Sequence, residues 1–270
     1  MCANDKMNIK LNMHQGNNTN RSGLQIYFIR ILFVPIVSIL ETLTNNFGTY
    51  ANTQLGIRIF KSLAMCALGI FIVRNIESTA LPAKWILIPI TWIALTLIPI
   101  YFNSALINSL GLSSEKTVEN RKYIVLCMIF LFPITYLSVL TMDQLGLPLP
   151  NLSQINLHHM ILWALYQLCY VAVCEEFFFR GYLASILLPC KKHPISNKNW
   201  RLNIIYILVS SLLFAVSHIV ISESLAGILT FIPGVALAYI FIRTQSIFVT
   251  IILHAGANIF YVLSTLLIAR

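Results

Sequence analysis

The chain has 270 residues, of which 58% are hydrophobic and only 10% charged, whereas a soluble globular domain carries about 25% charged residues. That balance excludes a soluble enzyme and indicates an all-α fold, a polytopic transmembrane helix bundle with no room for a large soluble domain beside it. The net charge of +9 does not point to nucleic acid, because the lysines and arginines lie mostly in the tail and loops, where they act as topology signals and meet anionic lipid headgroups.

Residues 1–22 are rich in Asn, Lys and Gln without apolar periodicity and read as a disordered tail. No charged start runs directly into an apolar core and a small-residue cleavage site, so a cleaved signal peptide is not expected. Residues 23–156 hold the N-terminal transmembrane helices. Their apolar segments are 26–43, interrupted by Arg30 and Pro35; 57–73, with Lys61 placed to snorkel; 85–107, with Pro89 and Pro99 as kinks; and 123–140, containing Pro133. A turn-rich loop over 141–156 leads into residues 157–270, the C-terminal helices. These are predicted at 157–188, 204–221, 225–242 and 247–268, which makes about eight spans in all. Four of the six cysteines, Cys66, Cys127, Cys169 and Cys174, fall in apolar segments; with no C-x-x-C pair they read as small buried hydrophobes.

The loop 189–201 carries Lys191, Lys192, Lys198 and Arg201 and no acid, which places it in the cytoplasm by the positive-inside rule. Counting back through eight spans puts the basic tail outside. Either the first segment does not cross fully or the C-terminal half dictates topology.

Three polar intrusions break the apolar C-terminal half. The first is Glu175-Glu176-x-x-x-Arg180. Ionisable groups inside a span cost roughly 2.5–3.5 kcal/mol each and are retained mainly for function. On a helix Glu176 and Arg180 share a face, while Glu175 points about 100° away and needs a partner from another helix. The second is Phe214-x-x-x-His218 and the third His254-x-x-x-Asn258. At about 1.5 Å per residue, Glu175 and His218 lie roughly 21 Å from the cytoplasmic helix ends and His254 to Asn258 roughly 12–18 Å, one layer of a core about 30 Å thick. Gly181, Gly256 and the neighbouring alanines would let backbones approach there. A buried carboxylate beside a histidine can deprotonate water, and a histidine with an asparagine can supply donors to the oxyanion of a tetrahedral intermediate. These are the parts of an amide hydrolase. No Gly-x-Ser-x-Gly elbow is present, which disfavours a covalent serine mechanism.

In this order and on three apolar helices, the motifs resemble those of the CAAX-protease and bacteriocin-processing family (CPBP, or Abi), intramembrane glutamic endopeptidases. The resemblance covers about residues 160–268. It implies that Glu175 and His218 activate water, that His254 and Asn258 form the oxyanion hole, and that Glu176, Arg180 and Phe214 support them. It implies no cofactor, and a peptide or membrane-protein substrate. Two other readings remain: a zinc metalloprotease using Glu175, His218 and His254, which lacks the H-E-x-x-H pattern, and a non-catalytic membrane protein conferring bacteriocin immunity. The Ile-, Asn- and Lys-rich composition points to a prokaryotic cell membrane and to leader or peptide processing.

Overall fold

The computed structural model describes residues 49–81, 83–112, 121–146, 149, 157–188 and 200–268. The tail 1–22 and the segment 26–43 lie outside these residues, as does most of the basic loop 189–201. The described residues form an all-α structure with seven helices long and apolar enough to cross a membrane. They are α1 (Thr49–Glu77), α2 (Lys84–Phe102), α3 (Arg121–Gln144), α4 (residues 157–187), α5 (Trp200–Ser222), α6 (Phe231–Thr244, entered through a 3₁₀ turn, Leu225–Thr230) and α7 (Ile247–Ile268). The segment expected at 85–107 ends earlier, at Phe102, and its last residues form a 3₁₀ turn, Ser104–Ser109.

The long helix α4 runs through the middle of the bundle and packs on α1, α2, α5, α6 and α7, while α3 lies outside against α6 and α7. The sequence predicts one continuous helix over 157–188. In the structure it is interrupted by two π-helical turns, Gln167–Val171 and Phe177–Tyr182, on either side of a short α-helical stretch, Ala172–Glu176, that carries both glutamates. A π turn bonds i to i+5 and takes up an extra residue, so side chains beyond it rotate relative to those before it.

Several backbone carbonyls accept hydrogen bonds from side chains on neighbouring helices. Pro89 has no N–H to give the carbonyl four residues earlier, and that carbonyl, of Trp85, accepts the Tyr166 hydroxyl. The Tyr170 hydroxyl donates to the next carbonyl, Ile86. Within the second π turn, the Phe179 carbonyl accepts from Ser210 at 2.7 Å and the Arg180 carbonyl from Tyr206 at 3.3 Å. For the buried carbonyls of Phe179 and Arg180, such cross-helix bonds supply a partner where lipid offers none.

Close packing is concentrated where α1, α2 and α4 meet. The Trp92 indole, 2% exposed, lies between Gly69 of α1 and the Phe178 and Phe179 rings of α4, at centroid distances of 4.9 and 5.0 Å. Gly181 has a close neighbour, but it is a side chain rather than the expected backbone, since a Cβ there would sit 3.0 Å from the Leu110 side chain and 3.8 Å from its carbonyl oxygen. Gly256 does not: its nearest neighbour, Phe132, would be 3.7 Å away, an ordinary contact. Cys66 and Cys174 are buried as expected, but Cys169 is exposed, on the outward side of α4.

Gly69 supplies a test of this packing. An added Cβ would meet Leu95 at 2.8 Å and press on the Trp92 ring, whereas at Gly56 it would meet nothing within 4 Å. Both Gly→Ala changes gain helix propensity of about 0.8–1 kcal/mol, while overpacking costs about 1–3 kcal/mol. Thermal unfolding in detergent is expected to show Gly56→Ala equal to or above the parent protein and Gly69→Ala below it.

Candidate active site

The first motif becomes a buried chain of hydrogen bonds. Arg180 Nη1 donates to Glu176 Oε1 at 2.8 Å, and both side chains are fully buried. The i, i+4 pairing read from the sequence is present. The same Glu176 oxygen lies 2.7 Å from Nδ1 of His254 on α7. The other ring nitrogen of that histidine, Nε2, is 3.6 Å from Glu175 Oε2. The partner that Glu175 needs from another helix is therefore His254, which stands between the two glutamates.

The glutamates differ in access. Glu175 retains 15% exposure and Glu176 none. Glu176 is committed to Arg180 and His254. Oε2 of each glutamate has no hydrogen-bond partner among the described residues, and of the two side chains Glu175 alone keeps some exposure.

Phe214 is the hub of the surrounding packing. Its ring lies 4.4 Å from the Arg180 guanidinium carbon, 4.4 Å from the His218 ring, 5.5 Å from the His254 ring and 5.1 Å from Phe179. The face of an aromatic ring attracts a cation, and in a desolvated place this is worth about 2 kcal/mol. The Arg180 Nη2 also reaches the Gly234 carbonyl of α6 at 3.5 Å. Arg180 is thus held from α4, α5 and α6.

His218 Nδ1 lies 2.9 Å from the Phe214 carbonyl one turn earlier. A carbonyl only accepts, so Nδ1 carries the proton and Nε2 of the neutral ring presents its lone pair. That is the tautomer a proton acceptor needs. The backbone around His218 is confined as well. Gly227, in the 3₁₀ turn leading to α6, approaches so closely that a Cβ there would sit 2.6 Å from the Ile219 nitrogen and 2.8 Å from the His218 carbonyl carbon.

Asn258 occupies the next turn of α7 beyond His254. Its Nδ2 donates to Oε1 of Gln167 on α4 at 2.9 Å. Sequence reasoning did not single out Gln167. Eight residues along an uninterrupted α-helix place it about 80° from Glu175, on a different face. The intervening π turn absorbs one residue, which leaves the two about 20° apart on the side facing α7.

The structure thus brings Glu175, Glu176, Arg180, Phe214, His218 and His254 into one contiguous cluster. Asn258 stands beside it, bound to Gln167. Among the described residues no group of three or more His, Cys, Asp or Glu side chains is arranged to hold a metal ion. His254 Nδ1 and His218 Nδ1 are already engaged, by Glu176 and by the Phe214 carbonyl.

The unequal burial of the two glutamates separates their contributions to stability. Removing one member of a buried ion pair costs about 3–5 kcal/mol, because the other is left uncompensated. Glu176→Ala is expected to lower the yield and thermal midpoint of folded protein, and Glu176→Gln/Arg180→Met to recover part of both. Glu175→Ala is expected to unfold near the parent midpoint. Parallel melting curves of the purified variants check this, and a stable Glu176→Ala beside an unstable Glu175→Ala would reverse the assignment.

A family model described as type II CAAX prenyl endopeptidase Rce1-like matches residues 157–260, a stretch that contains all three motifs. No curated protein and no solved structure matches the chain.

Proposed function

We propose, from the match of residues 157–260 to the type II CAAX prenyl endopeptidase Rce1-like family model, that the chain belongs to that family of proteases and is an intramembrane glutamic endopeptidase in which Glu175 and His218 activate water. The observation that carries the assignment is the contrast within the glutamate pair: Glu176 is fully buried and bound through one oxygen by Arg180 and His254, while Glu175 keeps 15% exposure.

In the proposed reaction, water placed between Glu175 and His218 Nε2 gives up a proton as its oxygen attacks the carbonyl carbon of the scissile peptide bond. The carbonyl oxygen becomes an oxyanion, stabilised by donors from His254 and Asn258. The retained proton then passes to the leaving amide nitrogen as the C–N bond breaks, so one water and one peptide bond yield an acid and an amine. His254 already donates Nδ1–H to Glu176 in this arrangement. It offers Nε2–H to the oxyanion only when doubly protonated, a form whose charge the two flanking carboxylates offset. Glu176 thereby has a second task beyond pairing with Arg180, since it fixes the orientation of the His254 ring.

The substrate is a peptide or protein chain reaching the membrane interior. Prenylated C-terminal peptides and double-glycine leaders both suit such a site, and the Ile-, Asn- and Lys-rich composition favours leader or peptide processing in a prokaryotic cell membrane. Positive-inside places the loop 189–201 in the cytoplasm.

Two measurements test this reading. Glu175→Gln and His218→Ala are expected to insert and fold while losing at least about 100-fold in cleavage of internally quenched peptides, one ending in a farnesylated CAAX sequence and one carrying a double-glycine leader, the size expected for loss of a general base. Parent-level turnover by folded Glu175→Gln would remove the base assignment, and protection from a bacteriocin that survives this substitution would favour a binding role. Activity is also expected to withstand zinc chelators. Stoichiometric zinc in the purified protein, with loss on chelation and recovery on re-addition, would favour the metalloprotease.

A further inference from the structure

We propose that Gln167 is the positioning residue for Asn258: its side-chain oxygen fixes which end of the Asn258 carboxamide faces the reacting carbonyl, and the π turn Gln167–Val171 exists to put it there. The inference rests on the oxyanion role proposed for Asn258 and extends it to a residue outside the three motifs.

The carboxamide of Asn258 has two ends of nearly equal shape, an acceptor oxygen and a donor NH₂. Only the NH₂ end can stabilise an oxyanion. A half-buried asparagine in an apolar bundle needs a fixed partner to select that end. Gln167 Oε1 provides it, accepting one Nδ2–H at 2.9 Å. The two N–H bonds of a planar amide diverge by about 120°, so pinning one fixes the direction of the other. The second N–H is then aimed before substrate arrives, the preorganisation that gives oxyanion donors their effect.

The neighbouring contacts make Gln167 a firm support. It is the first residue of its π turn, and the tyrosines around it are tied to a third helix. Tyr166, immediately before it, donates to the Trp85 carbonyl, and Tyr170, within the turn, to the Ile86 carbonyl. The turn is thereby held to α2 on one side and, through Gln167, to α7 on the other. A regular α-helical turn would carry Gln167 roughly 100° away and leave Asn258 without this partner. π turns are rare, and they occur mostly at functional sites.

The competing explanation is plain interhelical adhesion, since an amide pair between transmembrane helices is a common fastening. A double-mutant cycle on the full-length purified protein separates the two, with the quenched double-glycine and farnesylated CAAX peptides as probes and kcat, KM and thermal midpoint measured for each variant. Gln167→Met, which keeps the length and loses the acceptor, is expected to lower kcat about 10–100-fold, the range seen when a partner that orients a ligating group is lost, with KM and midpoint near the parent values. In an Asn258→Ala background the same substitution is expected to cost nothing further, because Gln167 acts only through Asn258. Gln167→Asn retains an amide but falls one methylene short, and is expected to reproduce the kcat loss should the methionine variant fold poorly. An unchanged kcat in folded Gln167→Met or Gln167→Asn, or the same fold-loss with and without Asn258, would overturn the proposal while leaving the oxyanion role standing. Failure of the underlying reading looks different: Asn258→Ala would then keep the parent kcat, and both assignments would fall together.

Discussion

The buried ion pair between Arg180 and Glu176 is the constraint around which the C-terminal half is arranged. Both side chains are completely excluded from the surface, in a region where lipid offers no hydrogen bonds. A guanidinium there must spread its donors and its charge over whatever the protein supplies. It does so through the Glu176 carboxylate, the Gly234 carbonyl and the face of Phe214. Those partners sit on α4, α6 and α5. Glu176 in turn takes His254 from α7. Four helices are fastened at one point because one cation has to be satisfied, and the open glutamate, Glu175, is the group beside that point that the fastening does not use.

This arrangement restricts the surrounding sequence. Gly234 must let its carbonyl and backbone come close to α5, and a Cβ there would already lie 3.3 Å from Ser211. Ser210 and Tyr206 face the carbonyls of the second π turn and bond to them. Phe214 contacts Arg180, His218 and His254 together, so one ring spaces the two histidines and shields the ion pair. Polar groups that would each be costly alone in an apolar bundle are tolerable here because the charges of Arg180 and Glu176 compensate each other and His254 and Phe214 lie against them.

The two π turns on α4 perform a related task by changing direction rather than charge. Between them lie five residues, Ala172–Glu176, in ordinary α geometry. The first turn swings the outer half of the helix so that Gln167 meets α7, and the second sets the carbonyls of Phe179 and Arg180 toward α5. A uniform helix could serve one neighbour well along its length. This one changes its facing twice and so meets α7 with one part and α5 with another.

What the sequence by itself determined is considerable. Hydrophobic content settles the membrane class, and seven of the apolar segments it marks are long helices in the described residues. The i, i+4 spacing of Glu176 and Arg180 correctly identifies a local pair and leaves Glu175 seeking a partner, because helix geometry relates neighbours three and four apart without help from the rest of the fold. The order of the motifs likewise pointed to the family whose model matches residues 157–260. Only the tertiary structure decided that His254 stands between both glutamates, that Phe214 is a shared contact rather than an outlying support, and that Gln167 holds Asn258. The first two depend on which helices lie side by side, and hydrophobic periodicity reports which residues avoid water without naming what they touch. The last depends on a π turn. Its extra residue leaves no mark in the composition or period of an apolar stretch, yet rotates everything on one side of it by about 100°.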